Sequence, residues 1–256
     1  MPFVRRALAA LFALVLCAAA PAPLPQVAAS GRTPYVAVLV WHDVEPVKQV
    51  WFDCDLATFR TQLAAIKRGG FTVVTLDTLR DHLERGTPLP PKPLVLTFDD
   101  NAYGIYAYAF PELRRYGFPA TLFVHTNYVG RTTSKRHNTW DQLREMERSG
   151  LVRVQSLTAN HPEDLRTLSD ADVLHEFRLA RTSIAYRLGH PAYAVAYPYD
   201  NFDARVARLA HEAGYTLGFS EDWGNAGASD DLLSVHRYSI LTRFDQALQD
   251  VAANGR

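Results

Sequence analysis

Apolar runs of strand length alternate with amphipathic runs of helix length roughly seven times along this chain, and this restricts its fold more than any other feature. The strand-like runs fall at 35–41, 71–75, 93–98, 120–124, 151–154, 193–197, 215–219 and 232–238. Between them, Asp55, Thr139 and Ser169 stand where N-caps belong, ahead of apolar residues at helical spacing, and Gly69, Gly86, Gly150 and Gly189 stand where helices stop. Parallel strands need crossovers, so the alternation predicts one α/β unit, a mostly parallel sheet with helices packed outside it. A barrel is favoured over an open sheet, although periodicity alone allows both.

The first thirty residues stand apart from this pattern. Arg5 and Arg6 precede an apolar run, 7–20, which is followed by Pro21, Pro23, Pro25 and small residues up to Ser30. That order is the one a secretory signal peptide needs, and the run is short for a membrane span. The expectation is a leader over 1–30, a single domain over 31–256 without further membrane-crossing segments, and a secreted, periplasmic or cell-envelope location. The formal charge is zero and no block of like charge occurs, so nucleic acid is not an expected partner. Cys54 alone would remain after cleavage, which leaves no intrachain disulfide and reads as a structural thiol.

The segment 93–101 ends a buried-type strand in two adjacent carboxylates, Asp99 and Asp100. Ligands bind at the carboxyl ends of parallel strands, and neighbouring side chains on a strand point apart, so the two acids can take different roles. A helix N-cap pair is the alternative on this pattern. Further polar clusters follow later strands: Ser156 to His161, Tyr197 to Asp200, and Glu221-Asp222-Trp223.

These clusters, in this order, resemble the motifs of the polysaccharide deacetylase family of carbohydrate esterases, whose chitooligosaccharide deacetylase-like domains remove acetyl groups from glycans. The resemblance spans roughly 35–240, and Leu96-Thr97-Phe98-Asp99-Asp100 is its strongest piece. It implies a distorted (β/α) barrel with about seven parallel strands. It also implies a divalent metal, zinc first, and a polysaccharide or oligosaccharide substrate. Carried over by position, Asp99 is the general base, Asp100 and His161 are metal ligands, and the backbone N–H of Tyr199 stabilises an oxyanion. Tyr197, Pro198 and Trp223 contact substrate, Asp222 belongs to the fourth motif, and His236 is the general acid. A satisfied strand-end histidine is the plain alternative for His236, and core packing for Trp223.

Three positions depart from the family pattern. Leu157 stands where the first histidine of Ser-His-Thr-x-x-His belongs, so one of three metal ligands is missing. His125, His42 and Asn160 are the residues at neighbouring strand ends that offer a replacement donor. Asn101 replaces a glycine, which asparagine's tolerance of positive φ permits, and Ala196 replaces an arginine. Two readings follow: an exported N-deacetylase using metal-assisted water attack, or a catalytically impaired pseudoenzyme that binds glycan or assists an assembly. O-acetyl esters remain open as an alternative substrate. His137, His175, His190 and His211 read as helix-surface or turn residues.

Overall fold

The computed structural model describes residues 23–26, 35–229 and 231–254. Most of the expected leader therefore lies outside the described residues. Residues 23–26 lie against the domain, where the Pro25 carbonyl accepts a hydrogen bond from the Leu232 N–H at 2.9 Å.

Seven parallel strands form a sheet curled into a half-barrel. In chain order they are β1 (Ala37–Trp41), β5 (Pro93–Phe98), β6 (Ala120–Val124), β7 (Val152–Ser156), β8 (Ala194–Ala196), β9 (Leu217–Phe219) and β10 (Tyr238–Ser239). Their order across the sheet is β10-β1-β5-β6-β7-β8-β9. A two-residue strand, β4 (Thr72–Val73), pairs with the first half of β5, and β6 pairs with its second half. β2 (Asp43–Glu45) and β3 (Asp53–Asp55) make a separate parallel pair beside the barrel mouth, which the sequence pattern did not disclose.

Every residue of β1, β5 and β6 is buried, so these strands carry apolar side chains on both faces. Trp41, Phe59 and Phe98 pack with ring centroids 5.5 to 6.0 Å apart, and burying each such side chain contributes roughly 1.5–3 kcal/mol. The helices α1 (Leu56–Arg68), α2 (Leu76–Arg85), α3 (Phe110–Tyr116), α4 (Trp140–Arg148), α5 (Asp170–Leu188), α6 (Ala204–Glu212) and α7 (Ile240–Asn254) link or follow the strands. Asp55, Thr139 and Ser169 cap α1, α4 and α5 as expected from their positions, with Thr139 and Gln142 forming a reciprocal capping box.

The expected strand at 232–238 is corrected to a shorter one. Leu232 and Val235 bond to Gly218 beside β9, Ser220 donates to Val235, and only Tyr238–Ser239 pairs with β1. The segment bends because it bridges β9 to β1, drawing the first and last parts of the sheet together. This bend carries Arg237 into the barrel.

Candidate active site

The carboxyl ends of the strands surround an open cavity of about 670 Å³, and Asp99 and Asp100 stand in its wall just past β5. Apart from Lys92, every non-glycine residue with positive φ among the described residues lies at these strand ends. They are Asp100 (70°), Asn101 (58°), Thr158 (60°), His161 (53°), Tyr199 (54°) and Asp200 (55°). Such backbone costs on the order of 1–3 kcal/mol per residue, and strained residues of this kind cluster at functional sites.

Asp99 is almost fully buried and both its oxygens accept from Arg237, at 2.9 and 2.8 Å. The guanidinium also donates to the Ser220 carbonyl. Ala196, where the resemblance puts an arginine, is buried in β8, and the partner of Asp99 comes from the β9–β10 segment. A lone arginine within the apolar run 232–240 was the sequence signal for this pair.

Asp100 faces His161, with Oδ1 and Nε2 3.6 Å apart. Burial raises the Asp100 carboxyl above its usual range, against the pull of His42 and His161. Burial lowers His161, opposed by Asp100. His137 is corrected from a surface or turn residue to a buried one. Its Nδ1–H donates to the Asp100 carbonyl at 3.2 Å, and its Nε2 accepts from Thr133 at 3.0 Å. Asn101 is also buried, and it is knitted to Asn138 by side-chain and main-chain hydrogen bonds that anchor the 129–138 loop. On that loop, Lys135 reaches Asp43 and Asp53 at 2.6 and 2.5 Å, tying the cavity rim to the β2–β3 pair.

His42, one residue past β1, lies 3.4 Å from Glu221 across the mouth. Burial opposes its charge, but the Glu221 hydrogen bond and the charges of Asp100 and Asp99 outweigh it and lift the imidazole to about 9. Glu221 in turn donates its N–H to both oxygens of Asp200, whose carboxyl burial lifts to about 6. Glu221 and Asp200 thus line the cavity where the sequence reading had placed Asp222.

Four expected site residues stand apart from the cavity lining. Asp222 is exposed, and its N–H bonds to Ser220 Oγ. Trp223 turns toward Arg243 and Tyr238. Pro198 is buried behind the rim. His236 packs beside Gly224 and donates its N–H to Ser229, because extended backbone points consecutive side chains apart and Arg237 takes the inward direction. Tyr197 does line the cavity, but as a buried wall. Its hydroxyl donates to the Leu233 carbonyl and its ring stacks on Phe202. Tyr199 is exposed at the rim, 4.8 Å from the His161 ring. Trp51, 80% exposed on the 46–52 loop, supplies a further rim aromatic that the sequence reading missed.

Leu157 is buried against the cavity wall, so the third expected metal donor is absent from that position. Asn160 is not a substitute, since its oxygen accepts from Asn127 and its NH₂ donates to Glu176. The tightest trio of potential donors among the described residues is His42, Asp99 and Glu221, within 4.8 Å of one another. Asp99 there already binds, through both oxygens, a guanidinium whose charge repels a cation, and His42 is paired with Glu221; that trio is an ion-pair network. Asp100 and His161 fit a divalent ion better, being a carboxylate and an imidazole at about the separation two ligands of one tetrahedral ion adopt.

The parallel half-barrel and the acids at its strand ends define a carbohydrate esterase-like α/β domain. The sequence profile named polysaccharide deacetylase matches residues 86–218. The chain belongs to the polysaccharide deacetylase family.

Among its relatives is the poly-β-1,6-N-acetyl-D-glucosamine N-deacetylase of Escherichia coli K12. It is 28% identical over 173 residues, which cover 62% of this chain and 25% of that protein. The chain thus spans about a quarter of that relative. Two solved structures share the fold, each with TM-score 0.78 and 24% identity. The Streptococcus pyogenes deacetylase PplD in complex with acetate covers 88% of this chain and is itself covered completely. IcaB from Ammonifex degensii covers 86%, with 98% of that chain matched.

Proposed function

We propose that this chain is a hydrolase that removes acetyl groups from an N-acetylated glycan. The observation that carries the reading is the paired acids: Asp99 held by Arg237, and Asp100 turned to His161, side by side on one cavity wall. A divalent ion on Asp100 and His161, zinc first, would supply Lewis-acid polarisation of the acetyl carbonyl and acidify a water molecule.

The residues of the chain account for the remaining steps. Arg237 fixes Asp99 in one orientation, so that its carboxylate takes the proton of the attacking water as the water oxygen bonds to the acetyl carbon. The Tyr199 N–H, on its left-handed backbone, serves the carbonyl oxygen as negative charge develops there. When the carbon–nitrogen bond breaks, the departing sugar amine needs a proton. His42, held by Glu221, is the donor in this reading, the role that sequence position alone assigned to His236. Acetate and a free amino sugar leave. Trp51 at the rim suits stacking on a neighbouring sugar ring, the part expected of Trp223.

The expected leader over 1–30, a domain over 31–256 and an extracytoplasmic glycan substrate are consistent with one another, because such polymers lie outside the cytoplasm. Among the described residues no helix is long and apolar enough to cross a membrane. Leu157 motivates the second reading, a pseudoenzyme that holds glycan without turnover. Acetate release from β-1,6- and β-1,4-linked N-acetylglucosamine oligomers separates the two. Turnover that vanishes in Asp99→Asn supports the hydrolase, and glycan binding without acetate supports the pseudoenzyme.

A further inference from the structure

We propose that His125 completes the metal site, supplying from β6 the imidazole that Leu157 withholds on β7; the inference rests on the metal-assisted reading above. β6 and β7 pair in parallel with Val124 opposite Ser156, and the Leu157 N–H continues the ladder onto the Val124 carbonyl at 2.9 Å. The Thr126 N–H then bonds to the Thr158 carbonyl at 3.2 Å. His125 and Leu157 therefore occupy the same rung on adjacent strands, and both face the cavity. Neighbouring strands lie about 4.8 Å apart, so the imidazole has moved sideways by one strand at an unchanged height on the barrel.

The surroundings of the ring support this assignment. The His125 and His161 centroids are 5.4 Å apart at an interplanar angle of 76°, a disposition two imidazoles on one ion can share. His125 is buried, and its Nδ1 has no hydrogen-bond partner, a state that calls for an explanation in a buried polar atom. Other candidates are committed elsewhere. His42 Nδ1 is also unpartnered, but its Nε2 faces Glu221, and both nitrogens of His137 are hydrogen-bonded. The donor atoms of Asp100, His161 and His125 do not all lie within the 4.8 Å that the His42 set meets, so an ion held by all three would require the His125 ring to move toward the other two.

Titration of the purified protein with Co²⁺ and Zn²⁺ tests the assignment without reference to turnover. The parent is expected to take up one equivalent of Co²⁺ with the visible absorption of a four- or five-coordinate site. His125→Ala is expected to weaken binding by at least ~10–100-fold, the range already seen for losing mere supporting contacts. The double variant His125→Ala/Leu157→His is expected to recover binding, which also shows that the loss is not misfolding. Unchanged affinity in His125→Ala overturns the proposal. So does a parent that binds no ion while Leu157→His does, or a double variant that fails to recover. Acetate release scores the function separately. Metal held through His125 without acetate release removes the deacetylase reading and keeps the site, whereas acetate release with metal indifferent to His125 does the reverse.

Discussion

Arg237 holds both oxygens of Asp99 from the far end of the chain, 138 residues away, with neither side chain appreciably exposed. Buried pairs of this kind punish removal of one partner, because the other is left charged and unsolvated. Arg237→Ala is expected to lose about 3–5 kcal/mol of unfolding free energy, readable by denaturant titration. Asp99→Asn is expected to lower acetate release by roughly 10²–10⁴-fold, the usual worth of a general base. A stable Arg237→Ala protein would show that the pair is not integral to the fold.

His42 and His236 make opposite predictions about the proton donor. His42 faces the cavity beside Glu221, whereas His236 lies behind it against Gly224. His42→Gln is expected to cut kcat by roughly 10²–10⁴-fold, and His236→Gln to leave it within about threefold. Steady-state kinetics on the same oligomer decides, and the reverse ranking returns the role to the residue expected from sequence.

Trp51 carries no core packing, so its truncation should not touch stability. Trp51→Ala is expected to raise KM by about tenfold on oligomers with little change in kcat, as loss of uniform substrate binding does. Monosaccharide substrates, too short to reach the rim, should be indifferent. A fall in kcat alone would place Trp51 in the chemistry.

Gly104 touches the Val44 carbonyl and the Asp43 carboxylate so closely that a Cβ there would overlap both. Its φ of −59° is unstrained, so the requirement is for space alone. Gly104→Ala is expected to displace the β2–β3 pair and loosen the Lys135 contacts, costing about 1–3 kcal/mol, the usual range for overpacking. Thermal melting measures the loss, and protease cleavage within 129–138 reports the loosened loop.

Cys54 is buried beneath Trp41, and burial pushes its thiol up to about 12. The folded thiol should be silent to Ellman's reagent at pH 8 and react once the protein is unfolded. The folded value exceeds the unfolded one near 8.5, so this group's contribution to stability is complete below about pH 8.5 and declines as pH rises toward 12. Rapid native-state labelling at pH 8 would contradict it.

Much of the site was legible because its parts are short-range. Asp99, Asp100 and His161 sit in contiguous strings just past strand ends, where left-handed backbone at Asp100 and His161 sets which way those two point. What escaped sequence reading was held at long range. Arg237 reaches Asp99 only because the 232–239 segment bends across from β9 to β1. Glu221 and not Asp222 lines the cavity, and so does Trp51 and not Trp223, because a side chain's direction in an irregular loop depends on packing from elsewhere. His137 looked like a turn residue because its partner, the Asp100 carbonyl, is distant in sequence.

The sequence by itself determined the alternation of strands and helices and the family, since each is written in local periodicity or in a contiguous motif, and it put Leu157 where the resemblance expects a histidine. Only the tertiary structure decided that His125 shares a rung with Leu157, that Asp99 answers to Arg237, and that His42 and Glu221 meet across the mouth. Those relations depend on strand register and barrel curvature, which arise when distant segments pack and are encoded in no single stretch of chain.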